Sequence, residues 1–138
     1  MGGQGDGDVG AQLRGYTFDA GALIALERRD ERVRAMLDRV LASPDALIHI
    51  PAGVLAQVFR DGPRQARLTR LLKKAQTRVV PLDTRTALVA GMLLERRGGS
   101  DVVDASVVLC ARTHGQGVVT SDPDDLRRLD PDLQLEVI

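Results

Sequence analysis

From Tyr16 onward, short apolar runs alternate with longer stretches whose apolar residues recur every three or four positions. The runs fit strands buried on both faces, and the longer stretches fit amphipathic helices. Strands are predicted at Tyr16-Thr17-Phe18, Ala46–Ile50, Arg78–Leu82, Gly117–Thr120 and Leu133–Ile138. Helices are predicted over Ala20–Arg29, Glu31–Leu41, Pro51–Val58, Arg64–Ala75, Asp83–Arg97, from Ser100 to near Gly115, and over Asp122–Leu129. Within Arg64–Ala75 the inward positions are expected to be Leu68, Leu71, Leu72 and Ala75. Strands joined through helices need crossover connections. The expected fold is therefore a single α/β domain over residues 14–138, a three-layer α/β/α arrangement with a mostly parallel sheet of about five strands. Residues 1–13 carry five glycines and little apolar surface, and are expected to be a disordered leader or an expression remnant.

Composition narrows the function classes. With 138 residues and 43% of them hydrophobic, the chain can bury a core without disulfides or a structural metal. Nineteen basic residues balance nineteen acidic ones, which excludes a tail-driven binder of polyanions. Two phenylalanines, one tyrosine and no tryptophan exclude an aromatic stacking platform for RNA. The single cysteine, Cys110, can form neither an internal disulfide nor a thiolate metal site. No apolar run approaches the roughly 18 residues of a membrane span. No basic segment leads into an apolar one, and Asp6 stands where a myristoylation signal needs Ser or Thr. A cytoplasmic protein with no membrane partner is expected.

The informative residues are acids placed at element boundaries. Asp19 follows the first predicted strand, Asp122 follows the fourth, and Asp101 and Asp104 open the helix before the fourth. In an open parallel sheet, ligands bind beyond the carboxyl ends of the strands where the winding reverses. With the first strand central and the fourth beside it, Asp19 and Asp122 face each other there. Asp101 and Asp104 are one helix turn apart and share a face. Each acid also has a plain structural reading. Asp19 and Asp122 suit helix N-caps, the latter before Pro123, and Asp101 suits a first helical turn. Asp104, between Val103 and Ala105, is costly to bury without a partner. Taken together, carboxylates crowded on one edge repel, and one takes up a proton unless a cation sits among them. Oxygen ligands without His or Cys select Mg²⁺ or Mn²⁺, which lower the pKa of water and steady the charge of a phosphodiester in transit.

Other residues keep two readings. Arg60, Arg64 and Arg67, continued by Arg70 and Lys74, form a row that can steer a phosphate backbone or simply be a solvated face. His49 in an apolar strand and His114 at a helix end read as structural, and Cys110 among valines as a buried inert thiol. Neither a nucleophile elbow nor a phosphate-binding loop is present.

Four segments together resemble the motifs of PIN-domain nucleases, over about residues 16–138: Thr17-Phe18-Asp19-Ala20-Gly21-Ala22-Leu23-Ile24-Ala25-Leu26, Pro51-Ala52-Gly53-Val54-Leu55-Ala56-Gln57-Val58, Asp101-Val102-Val103-Asp104-Ala105, and Val119-Thr120-Ser121-Asp122-Pro123-Asp124-Asp125-Leu126. Within that family the chain is similar to the VapC-like toxins of toxin–antitoxin pairs. The resemblance implies an Mg²⁺- or Mn²⁺-dependent endoribonuclease that cleaves single-stranded RNA. Asp19, Asp104 and Asp122 match the metal-holding acids. Asp101 is an added acid that serves as a further ligand or a base for water, and Thr120 matches a position that supports the fourth acid. It also implies a homodimer and a cognate antitoxin. One residue departs: Gln57 stands where the second motif normally has glutamate, and a glutamine brings neither charge nor basicity. That keeps open an alternative, a PIN-fold module that binds RNA or a partner without turnover. Receiver and haloacid-dehalogenase-type phosphatase folds also place acids at strand ends. However, no lysine ends a late strand, and Asp19 is followed by Ala20-Gly21 rather than by a second acid two residues on.

Overall fold

A computed structural model describes residues 14–138; the expectation for residues 1–13 lies outside them. In chain order the elements are β1 (Gly15–Phe18), α1 (Ala20–Glu27), α2 (Glu31–Leu41), β2 (Leu47–Pro51), α3 (Ala52–Val58), a 3-10 turn (Pro63–Gln65), α4 (Ala66–Leu72), β3 (Thr77–Val80), α5 (Thr84–Arg97), α6 (Val102–His114), β4 (Gly117–Thr120), α7 (Pro123–Leu129) and β5 (Leu135–Val137). All neighbouring strands are parallel, in the order β3-β2-β1-β4-β5. Right-handed crossovers put α1–α4 on one face and α5–α7 on the other, giving three layers. The winding reverses between β1 and β4, the two central strands that pair Phe18 with Val119.

Burial follows this placement. Every residue of β1 and β4 is buried, as strands covered on both faces require. The outer strands β3 and β5 expose Arg78 and Val137, and their short lengths limit edge-to-edge pairing. Phe18, Leu23, Ile48 and Leu68 are fully buried in the same core as Val107, Val118 and Leu126.

The predicted elements all form, with shifted ends. The single helix expected over Arg64–Ala75 is instead a 3-10 turn followed by α4, which stops at Leu72, so Ala75 is exposed rather than inward. Pro63 starts the turn, and the Gln65 side chain, not a regular helix start, binds the Arg60 N–H (2.7 Å) and the Val58 carbonyl (2.7 Å). Pro51 ends β2 instead of opening α3, and β3 stops two residues short of Leu82. Gly15 is required where it stands: its φ is +102°, and a Cβ would lie 1.7 Å from the Leu47 carbonyl oxygen.

One buried polar side chain ties the amino-terminal ends of three strands together. Gln116 accepts at Oε1 from the Thr17 hydroxyl (3.0 Å) and from His49 Nδ1 (3.0 Å), and its Nε2 donates to the carbonyls of Arg14 (3.2 Å) and Leu47 (3.1 Å). His49 stacks on His114 with ring centroids 3.6 Å apart, and burial followed by repulsion from His114 lowers the His49 pKa. Gln116→Ala removes four hydrogen bonds, two of them to the buried side chains of Thr17 and His49. It is expected to cost about 3 kcal/mol of stability, read as a lower urea midpoint at unchanged slope. An unchanged midpoint would show that the network carries no stability.

Candidate active site

The reversal point between β1 and β4 opens at their carboxyl ends, and the chain places its acids there. Asp19 is the first residue past β1. Its N–H continues the ladder to the Val119 carbonyl (3.1 Å), and its own carbonyl accepts from Ala22 and Leu23 to start α1. The carboxylate is buried. Oδ1 accepts from the adjacent Ala20 N–H (2.7 Å), and Oδ2 accepts from the Thr120 hydroxyl (3.0 Å). Asp19 thus stands at the N-cap of α1, but a capping carboxylate ordinarily reaches the second or third helical N–H, and capping leaves the bond from Thr120 unaccounted for.

Thr120 connects the two strand ends. Its fully buried hydroxyl donates to Asp19 and accepts the Asp122 N–H (3.0 Å). Asp122 occupies the N-cap position of α7, yet its carboxylate makes no capping hydrogen bond and is left exposed in the crevice. Asp101 does realise its structural reading: Oδ1 accepts the Asp104 N–H (3.0 Å) and caps α6. Gly21 permits the close fit of α1 against the turn after β4. A Cβ there would lie 2.0 Å from Ser121 Oγ and 3.0 Å from its backbone nitrogen.

The electrostatics are those of uncompensated like charge. Burial, then repulsion from Asp101, Asp19, Asp125 and Asp122, pushes the Asp104 pKa up to about 6. Burial also raises Asp19. The hydrogen bonds from Ala20 and Thr120 work against that rise, while Asp122 and Asp101 add to it. Among the described residues, no cationic side chain pairs with Asp19, Asp101, Asp104 or Asp122. Asp125, which adds to the repulsion on Asp104 and pairs with Arg128 (3.7 Å), stands in the fourth motif segment but takes no role in the motif reading. Its spacing of three from Asp122 at a helix start is the signal that could have found it.

In charge and in hard oxygen chemistry this donor set fits a divalent cation of the Mg²⁺ class. The side chains do not close on a point, however: among the described residues no three His, Cys, Asp or Glu are gathered tightly enough to hold an ion. Binding one requires rotation, and the uncapped Asp122 carboxylate is free to rotate.

The remaining candidates stand apart from the acids. Gln57 is exposed on α3 and makes no side-chain hydrogen bond among the described residues. Arg60 folds back to donate to the carbonyls of Ala56 (3.0 Å) and Phe59 (2.7 Å), and Arg64 is exposed. Arg67 lines a separate cleft with Arg29 and Arg34. Cys110 is buried, and desolvation raises its pKa, which leaves a neutral, inert thiol.

Residues 16–131 match the PIN domain family, and the chain belongs to it. Solved structures with the same fold include VapBC2 from Rickettsia felis bound to a DNA fragment from its promoter (TM-score 0.65, 19% identity, 89% of this chain and 98% of that one). FitAcB from Neisseria gonorrhoeae is also similar (TM-score 0.59, 19% identity, covering 87% and 95%). So is FitAB bound to an IR36 DNA fragment (TM-score 0.58, 17% identity, covering 88% and 94%). No curated protein sequence matches the chain significantly.

The raised Asp104 pKa has a stability consequence in EDTA. A carboxyl held above its ordinary 3.8 contributes stability that is complete below that value and is lost as pH rises through about 6. Asp104→Asn is therefore expected to gain on wild type between pH 4 and 7. The gain is about 1–2 kcal/mol once solvent screening of this half-buried group is allowed for, followed as melting temperature against pH. Parallel curves for the two proteins would contradict the crowding of the acids.

Proposed function

We propose that the protein is a divalent-metal-dependent endoribonuclease acting on single-stranded RNA, and the toxin of a toxin–antitoxin pair. The observation that carries this reading is the convergence of Asp19, Asp104 and Asp122 at the β1–β4 reversal point with no cation to balance them. Asp19, Asp104 and Asp122 would hold Mg²⁺ or Mn²⁺, which activates water and screens the negative charge of a phosphodiester. Asp19, oriented by Ala20 and Thr120, provides the fixed donor of the site. Thr120 is a positioning residue, keeping Asp19 and the Asp122 backbone in register. Asp101, whose charge raises the affinity of Asp104 for a proton while the site holds no cation, would serve as a further ligand or as a base for water.

Membership in the PIN domain family and a fold shared with VapBC and FitAB complexes support the toxin role and an antitoxin partner. A homodimer is supported by α5, which leaves Leu88 (65% exposed) and Met92 (62% exposed) on its outer face without a partner in the chain. Among the described residues no helix is long and apolar enough to cross a membrane. The second reading, a PIN-fold module that binds without turnover, is favoured by Gln57 alone.

With single-stranded RNA and Mn²⁺, wild type is expected to cleave. Asp19→Ala or Asp104→Ala should lower the rate by at least about a hundredfold. Intact RNA at high Mn²⁺, with equal binding in EDTA, would select the non-cleaving module instead. Gln57→Glu is expected to tighten Mn²⁺ binding and raise the rate; unchanged metal affinity would place Gln57 outside the site.

A further inference from the structure

Helix α1 ends in a conflict between residue type and backbone. The Arg29 N–H donates to the Leu26 carbonyl (3.1 Å) and the Asp30 N–H to the Ala25 carbonyl (2.9 Å), which is the Schellman closure of a helix. That closure needs a left-handed residue at its pivot, ordinarily glycine. Arg29 takes it, with φ of 62°. A side chain that costs stability where it stands points to something the side chain does.

Arg29 lines a cleft of about 460 Å³ with Arg34 and Arg67, over Leu26 and beside Asp30 and Glu31. Among the described residues Arg29, Arg67 and Arg70 have no carboxylate within 4.0 Å. The two acids that border the cleft are weak competitors. Asp30 accepts from the backbone N–H groups of Arg32 (2.8 Å) and Val33 (3.4 Å) and is bound by the Arg32 side chain, while exposed Glu31 is 4.0 Å from Arg34. Desolvation, then repulsion from Arg29 and Arg70, lowers the Arg67 pKa, so an anion entering the cleft would relieve an existing strain.

A second groove, of about 410 Å³, ties this end of α1 to the acids. It is lined by Gly21 and Ser121, beside Asp122, then by Ile24, and finally by Arg28 and by Arg32 with its ion-pair partner Asp30 (2.9 Å), which leaves Arg28 as the unpaired cation of the groove among the described residues. It follows the outer side of the helix for roughly 12 Å.

We propose that the arginines at the carboxyl end of α1 form a phosphate-binding site that grips the backbone of a single-stranded nucleic acid one helix length from the acidic crevice. The guanidinium fork matches phosphate oxygens in pairs. A nucleic-acid strand offers phosphates at regular intervals, so one strand reaches both the crevice and the cleft along the α1 groove. The choice of a nucleic acid rests on the ribonuclease reading above; the affinity for phosphate does not.

The test titrates inorganic phosphate, and separately a fluorescent oligodeoxyuridine that lacks the 2′-hydroxyl, into wild type, Arg29→Gly and Arg67→Gln. Arg29→Gly is expected to melt higher than wild type, because glycine relieves the left-handed pivot, and to bind both probes about tenfold more weakly. Arg67→Gln should weaken both without the rise in melting temperature. In either variant the slope of log affinity against log salt should shrink by about 0.7 for each phosphate that is no longer neutralised. Unchanged phosphate affinity in both variants would overturn the site. Capture of a glutamate-rich peptide in place of the oligonucleotide would overturn its assignment to nucleic acid. Loss of probe binding in the variants of a protein that never cleaves RNA would uphold the site while defeating the ribonuclease reading.

Discussion

Carboxylates do not gather in a half-buried crevice without a cause, because each raises the cost of ionising the next. Here four acids press on Asp104, and among the described residues only Asp125 has a cationic partner, Arg128 at 3.7 Å. The surrounding structure absorbs that repulsion rather than relieving it. Thr120 gives its donor to Asp19 and its acceptor to the Asp122 backbone, which pins two acids from different strands into one register. Gly21 leaves room for Ser121 so that the strand end and helix start can meet.

The fold supplies the rest of the geometry. Parallel strands joined by right-handed crossovers reverse their order of winding once, between β1 and β4, and the connections leave in opposite senses there to form a crevice. The opposite end of the sheet is tied down by Gln116, which binds groups on β1 and β2 and the segment entering β1.

Much of this was legible in the residues. Strand–helix alternation is enough to specify a parallel sheet, and acids directly after the first and fourth strands are enough to locate the crevice. What pattern could not tell was how each acid is used. Asp101 and Asp122 both sit at helix starts, but only Asp101 caps its helix; the Asp122 backbone, at φ −131° and ψ 76°, leaves its carboxylate without a helical N–H. Asp125 carries no motif weight and enters only through its position in space. The broken helix at residues 63–72 was hidden because Gln65 provides by side chain what a regular helix provides by backbone. The strained pivot at Arg29 was invisible for a related reason: a φ angle is set by the turn, and nothing in an arginine announces it.

The central claim is that repulsion among these acids is answered by a bound divalent cation. Its most direct test is the heat of Mn²⁺ binding at pH 6 and at pH 8, measured in pairs of buffers with different ionisation enthalpies. With Asp104 held at about 6, protons should be expelled on binding at pH 6 and almost none at pH 8. The absence of saturable binding, or binding with the same proton release at both pH values, would contradict the claim.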